Sequence, residues 1–175
     1  MSLDIQIFQL INDAAGRNIL FDNFFIFITI FGNFILFLII LFLRDKRLIF
    51  KSLFGYIILK FLDIIINFIY FRPRPFVVQE VNLLIAQKAT ASFPSGHAMT
   101  AFVFAQLLYF HNKKYGIIAF ILAFLIAFSR IFVGVHYPLD TIAGILLGIG
   151  TAFIIKFMFE KYKLMKKIEK FYSRL

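Results

Sequence analysis

Residues 21–43 read FDNFFIFITIFGNFILFLIILFL, 23 consecutive positions of which only Asp22 is charged. A helix needs about 20 mostly apolar residues to cross a bilayer. The run is apolar on every face, without the short alternation that a membrane β-barrel strand shows. Working outward from it, four further apolar stretches occupy 48–71, 97–109, 116–133 and 138–159, the 97–109 stretch being short enough to borrow flanking residues. The fold expected is therefore all-α, a polytopic membrane helix bundle of about five spanning helices.

Composition agrees. The chain is 62% hydrophobic with a mean hydropathy of +0.90, and 27 of its 175 residues are Phe. Soluble domains do not have this make-up. The absence of cysteine excludes disulfides, thiolate nucleophiles and thiolate metal sites. Ahead of the first span, Leu3, Ile7, Leu10, Ile11 and Ala14 recur at helical spacing, with Gln6, Gln9 and Asp13 on another face. Residues 1–20 thus read as a helix lying in the membrane interface, too polar to span. Asp4 and Asp13 precede Arg17, so the start lacks the basic region of a cleaved signal peptide. Neither a repeat nor a second domain is visible, and residues 1–175 read as one membrane-embedded domain.

The net charge of +10 has a topological reading. Lys and Arg in short loops favour the cytoplasm. The Arg44-Asp45-Lys46-Arg47 turn, the Lys113-Lys114 turn and the Lys-rich tail, residues 160–175, alternate through five spans as a cytoplasmic set. The segment from Arg72 to Pro94 and the link from Gly134 to Tyr137 then share the outer side. Nucleic acid is not needed to explain the charge. The tail has the composition to touch anionic headgroups, although topology alone accounts for it.

Three polar groups fall on that outer face. Arg72-Pro73-Arg74-Pro75 ends the second span, and each proline holds the preceding arginine in extended backbone. Guanidinium forks fit phosphate oxygens. Pro94-Ser95-Gly96-His97 opens the third span; Gly96 lets an anion approach free helix N–H groups, and His97 can release a proton beside it. Ser129-Arg130 is followed by His136 and by Asp140, which falls in the first turn of a helix opened by Pro138. A carboxylate there can accept one imidazole N–H and leave the other ring nitrogen free to attack phosphorus. Arg130 would balance charge on the phosphoryl oxygens. At roughly 5% per residue type, one such four-position pattern arises by chance on the order of once in a thousand chains of this length, so two on one face read as a site.

These motifs resemble the type 2 phosphatidic acid phosphatase family, membrane relatives of the vanadium haloperoxidases. The resemblance covers roughly Lys60 to Asp140. It implies hydrolysis of a phosphomonoester or diphosphate without metal or other cofactor, through a phosphohistidine. By motif position it makes His136 the nucleophile, Asp140 its partner and His97 the acid for the leaving group. Arg74, Ser95, Gly96 and Arg130 would hold the phosphoryl group. The first motif departs from the family, which places a Lys seven positions before the arginine; here that position is Asn67, with Lys60 one heptad earlier. One phosphate contact is then weaker, absent or supplied by Arg72.

Small size, the amphipathic start and an outward site resemble the undecaprenyl-diphosphatase subgroup. The expectation is a bacterial cytoplasmic-membrane enzyme with a cytoplasmic C-terminus, acting on a lipid-linked diphosphate. Phosphatidate or phosphatidylglycerophosphate is the alternative substrate, and a non-enzymatic transporter or binder of phosphorylated lipid the alternative class. Other polar residues read as structural: Lys60 with Asp63 as a salt bridge, His111 as a solvated loop residue, and Gly144 and Gly148 as close-packing positions.

Overall fold

A computed structural model describes residues 2–161; the tail expected at 160–175 lies, beyond Lys161, outside the described residues. Seven helices follow one another, with no strand among the described residues: α1 (Leu3–Asn12), α2 (Ile19–Phe42), α3 (Lys46–Ile69), α4 (Pro75–Val78), α5 (Gly96–His111), α6 (Lys113–Phe132) and α7 (Pro138–Lys161). Four of them, α2, α3, α6 and α7, are long and apolar enough to cross a membrane. At about 1.5 Å per residue the three 24-residue helices α2, α3 and α7 reach about 36 Å, enough for the hydrocarbon core with some tilt.

α5 is the short helix anticipated from 97–109, and its place explains its length. Every residue from Ala98 to Leu108 is buried. α2, α3, α6 and α7 all pack around it, so it carries no lipid-facing stripe. Its tight fit depends on small residues opposite. A methyl group on Gly144 of α7 would come within 2.7 Å of the Ser95 carbonyl and 2.9 Å of Ala98 Cβ. Gly148 meets Met99 and Phe102 in the same way, so both glycines act as close-packing positions. Many phenylalanines of α2, including Phe24, Phe27, Phe31 and Phe34, are exposed on the face that meets lipid.

Helix starts are set by side chains. Asn18, Asp45 and Asn112 each accept backbone N–H bonds from the first turns of α2, α3 and α6. Asp45, Arg47, Lys51, His111, Lys156 and Glu160 meet at one end of the bundle, the end read as cytoplasmic. His111 ends α5 there, with Nδ1 3.6 Å from Asp45 Oδ2, so it is partly packed and not freely solvated.

α1 is the helix expected ahead of the first span, and one stripe of it docks on the protein. Its buried residues are Asp4, Phe8 and Asn12, one stripe at four-residue spacing, while Leu3 and Leu10 are exposed. The stripe packs on α6 and α7. Asn12 donates to the carbonyls of Asn82 and Phe132 and accepts from the Asn82 N–H. Of the apolar residues that defined the periodicity, Leu3, Ile7, Leu10 and Ala14 face outward while Ile11 packs against the protein, and two polar residues help hold the helix there.

Candidate active site

The link between α6 and α7 begins with Gly134 at φ +85°, a left-handed conformation that favours glycine. The turn folds back so that the Val135 and His136 N–H groups both reach the Arg130 carbonyl at 3.2 Å. Nucleophile candidate and cation are thereby fixed to each other through backbone. Pro138 then opens α7.

Arg74, Gly96, His97, Arg130 and His136 line a single cavity of about 420 Å³, together with Lys60, Asp63 and Asn67 from α3. Five of the seven residues expected to form the site are thus in its wall. Arg74 directs Nη1 to the Val135 carbonyl at 3.0 Å and lies 3.1 Å from His136 Nε2. An arginine can only donate, so Nε2 is the acceptor and the ring proton sits on Nδ1. Arg130, 2% exposed, donates to Thr29 Oγ1 at 3.1 Å and to Gln87 at 3.5 Å. Among the described residues Arg74 Nε and Arg130 Nε have no acceptor, which leaves donors for an anion.

Ser95 is the N-cap of α5, fully buried, with its hydroxyl unpaired and outside the cavity wall. Pro94 lies before the helix and not in its first turn, because α5 starts at Gly96. Asp140 is completely buried behind His136. Its Oδ2 stands 3.6 Å from His136 Nδ1, close enough to orient the ring, but the carboxylate is held mainly by others. Arg72 Nη1 donates to Oδ1 at 2.7 Å, the Tyr137 N–H to Oδ2 at 2.9 Å, and the Ser92 hydroxyl to Oδ2. A third-position carboxylate bonding the N-cap N–H is half of a capping box, so helix geometry itself aims Asp140.

Arg72 belongs to this rear side. Its guanidinium stacks 4.0 Å from the Tyr137 ring and bridges Asp140 to Asp4, whose Oδ2 is 2.5 Å from Nη2. The other Asp4 oxygen accepts the Leu139 N–H at 2.9 Å, satisfying a free donor at the start of α7. Burial alone would lower the Arg72 pKa; the bonds to Asp4 and Asp140 more than offset this and raise it. It is therefore not a substitute for the missing family Lys. The expected Lys60–Asp63 bridge is also absent: no ion pair within 4 Å joins them, Lys60 Nζ lies 5.5 Å from the Tyr56 ring, and Asp63 accepts from Asn67 at 3.1 Å.

His136 is tuned by both surroundings. Burial lowers its pKa most, the Asp140 contact opposes this, and Arg130 and Arg74 lower it further, to about 4. At neutral pH the ring is uncharged, as a nucleophile requires. Among the described residues, no group of three His, Asp or Glu side chains is arranged to hold a metal ion.

Residues 48–163 match the model of the PAP2 superfamily, and all seven candidate residues fall inside that range. The chain belongs to the PAP2 superfamily. It is 32% identical to undecaprenyl-diphosphatase BcrC of Bacillus subtilis strain 168 over 167 residues, covering 91% of this chain and 84% of that one. A Sulfolobus acidocaldarius undecaprenyl-diphosphatase is 29% identical over 176 residues, covering 97% and 84%. The fold is similar to the crystal structure of Aquifex aeolicus LpxE, with a TM-score of 0.79 and 34% identity over 89% of this chain and 95% of that one. As a PAP2 member with such relatives, this multi-pass membrane protein is a lipid phosphatase. Asp4, Thr29 and the α1 anchor lie outside the matched range.

Proposed function

We propose that the protein removes the terminal phosphate of a long polyprenyl diphosphate, undecaprenyl diphosphate, at the outer membrane face through a phosphohistidine on His136. The observation that carries the proposal is the meeting of a neutral imidazole nitrogen, two guanidinium groups and a second imidazole in one cavity. The relatives' names favour the diphosphate.

A phosphoryl oxygen is a stronger acceptor for Arg74 than a neutral imidazole. Substrate binding therefore draws the guanidinium off Nε2 and frees its lone pair. Nε2 attacks the terminal phosphorus and the bridging P–O bond breaks. His97, which takes up a proton as the anionic substrate enters beside it, gives that proton to the departing lipid phosphate and is left neutral. Arg74, Arg130 and the α5 N-terminus at Gly96 hold the three equatorial oxygens as charge develops. Asp140 holds the imidazolium formed at His136. Water, deprotonated by His97, then attacks the phosphohistidine and releases phosphate.

The test is phosphate release from undecaprenyl diphosphate by purified protein in detergent. His136→Ala is expected to lose at least about 10⁴-fold in kcat. Wild-type protein quenched during turnover of substrate labelled in its terminal phosphate should carry an acid-labile, base-stable label. Undiminished turnover by the variant sinks the nucleophile assignment; faster turnover of phosphatidate than of the diphosphate reassigns the substrate. For orientation, a cysteine at Ala86 should react with an impermeant thiol reagent in intact cells and one at Asn112 should not.

A further inference from the structure

The cavity wall holds a third cation that the motifs leave without a task. Asn67 occupies the position of the family Lys, but its amide is committed to Asp63 Oδ1 and carries no charge. Arg72 is turned to the rear. Lys60 remains on the wall. Its Nζ lies 4.0 Å from where a Cβ on Gly96 would stand, and among the described residues no carboxylate oxygen pairs with it within 4 Å. α3 runs from the cytoplasmic turn to the outer arginines, so seven residues put Lys60 about 10 Å deeper in the membrane than Asn67.

We propose that Lys60 forms a second anion subsite, which takes the lipid-side phosphate of a diphosphate. This rests on the phosphatase reading above and adds to it the feature that separates diphosphates from phosphomonoesters. Arg74, Arg130 and His136 fix the reacting phosphorus at the outer end. His97, which protonates the departing oxygen, lines the same cavity as they and Lys60 do. The lipid tail comes from the membrane side, so the phosphate joined to it lies deeper than the one attacked. When the bridging bond breaks, its electron pair stays with that deeper phosphate and His97 supplies the proton. Lys60 offsets the charge that remains on the leaving lipid monophosphate. A phosphomonoester leaves as an alcohol and puts no anion there. Asp63 Oδ2, 3.8 Å from the same Gly96 point, sets a negative wall beside the subsite and penalises an anion displaced from Lys60.

The experiment compares a polyprenyl diphosphate with phosphatidate on wild type, Lys60→Gln and Lys60→Arg in detergent. Loss of one charge-assisted contact should lower the ratio of kcat/KM for diphosphate over monoester at least about tenfold in Lys60→Gln. Lys60→Arg should recover most of that ratio. Equal losses on both substrates overturn the proposal. Wild-type protein gives a measurement free of folding effects: methylenediphosphonate should inhibit at least about tenfold more strongly than methylphosphonate. Equal inhibition by the two also overturns it. If wild type hydrolyses neither lipid, the phosphatase reading itself has failed, a result distinct from lost selectivity.

Discussion

His136 has two sides, and the chain builds them by different means. In front, Arg74, Arg130, His97 and Gly96 come from the ends of three elements and leave donors facing a cavity. Behind, Asp140, Ser92, Tyr137, Arg72 and Asp4 form a continuous chain of bonds in which both carboxylates are buried. Arg72 and Arg74 are two residues apart, on backbone held extended before proline, and they face opposite ways. Arg74 meets His136 and Arg72 meets Asp140. The difference is one of partners: a guanidinium with two carboxylates is spent on structure, whereas one with a carbonyl, a hydroxyl and a ring nitrogen can turn to an anion.

That contrast predicts different kinetic signatures. Asp140→Asn should cause the larger loss, about 10³–10⁴-fold in kcat, because the ring loses the carboxylate that stands behind Nδ1 and stabilises the imidazolium formed in the reaction, and KM should hardly move. Arg74→Ala should lower kcat/KM by about 10²–10³-fold and raise KM as well, since it touches substrate. A raised KM in Asp140→Asn with an unchanged KM in Arg74→Ala would reverse the two sides.

The pH profile sharpens the comparison further. His136 must be neutral to attack, and its pKa lies at about 4, below the ordinary value of 6.5. Wild-type kcat/KM should therefore keep its His136-dependent activity down to that region and lose it, about tenfold per pH unit, only below. The front cations push this pKa down and the rear carboxylate pulls it up. Arg74→Ala should move the acid limb upward and Asp140→Asn should move it downward. A shift in the same direction for both would break the assignment of opposite roles. Stability follows the same sign: the unfolded chain takes up the His136 proton below about 6.5, so folding weakens as pH falls from there toward 4, at up to about 1.4 kcal/mol per unit.

The front was legible in the sequence and the rear largely was not, for a physical reason. Arg-Pro, Pro-Ser-Gly-His and Ser-Arg…His…Asp are polar strings in an apolar chain, conspicuous because charge in a membrane needs a purpose. The bundle was legible from hydropathy, and the short α5 run from its length. Ser92, Thr90 and Gln87 sit in a loop with no periodicity, so nothing marked them as partners of Asp140, Arg74 and Arg130. α1 is legible as a helix ahead of the first span, but the face it docks with is not. Its apolar period is real, but Leu3, Ile7 and Leu10 on that face are exposed, and the buried stripe contains Asp4 and Asn12. Polar residues at positions 4 and 12 with Phe8 between them are the trace that was available.

Asp4 offers the finest test of the rear side, because it touches neither substrate nor His136. It acts on Arg72 and on the Leu139 N–H, and through them on the start of α7 that carries Asp140. Asp4→Asn keeps an oxygen for Leu139 but removes the charge facing Arg72. Arg72 still has Asp140, so it is not left as an uncompensated buried cation, and the cost falls well below the about 3–5 kcal/mol of a fully broken buried pair. The expected result is a loss of about three- to tenfold in kcat with KM unchanged, corresponding to about 1 kcal/mol in orienting the nucleophile. Arg72→Lys should show the same pattern, and adding it to Asp4→Asn should cost little more, because both act on one link. Multiplying losses in the double variant would mean that Asp4 supports the fold through α1 alone, independently of the bond to Arg72. A raised KM in Asp4→Asn would instead make α1 part of the substrate's path, and the separation of the two sides of His136 would fail at its outermost residue.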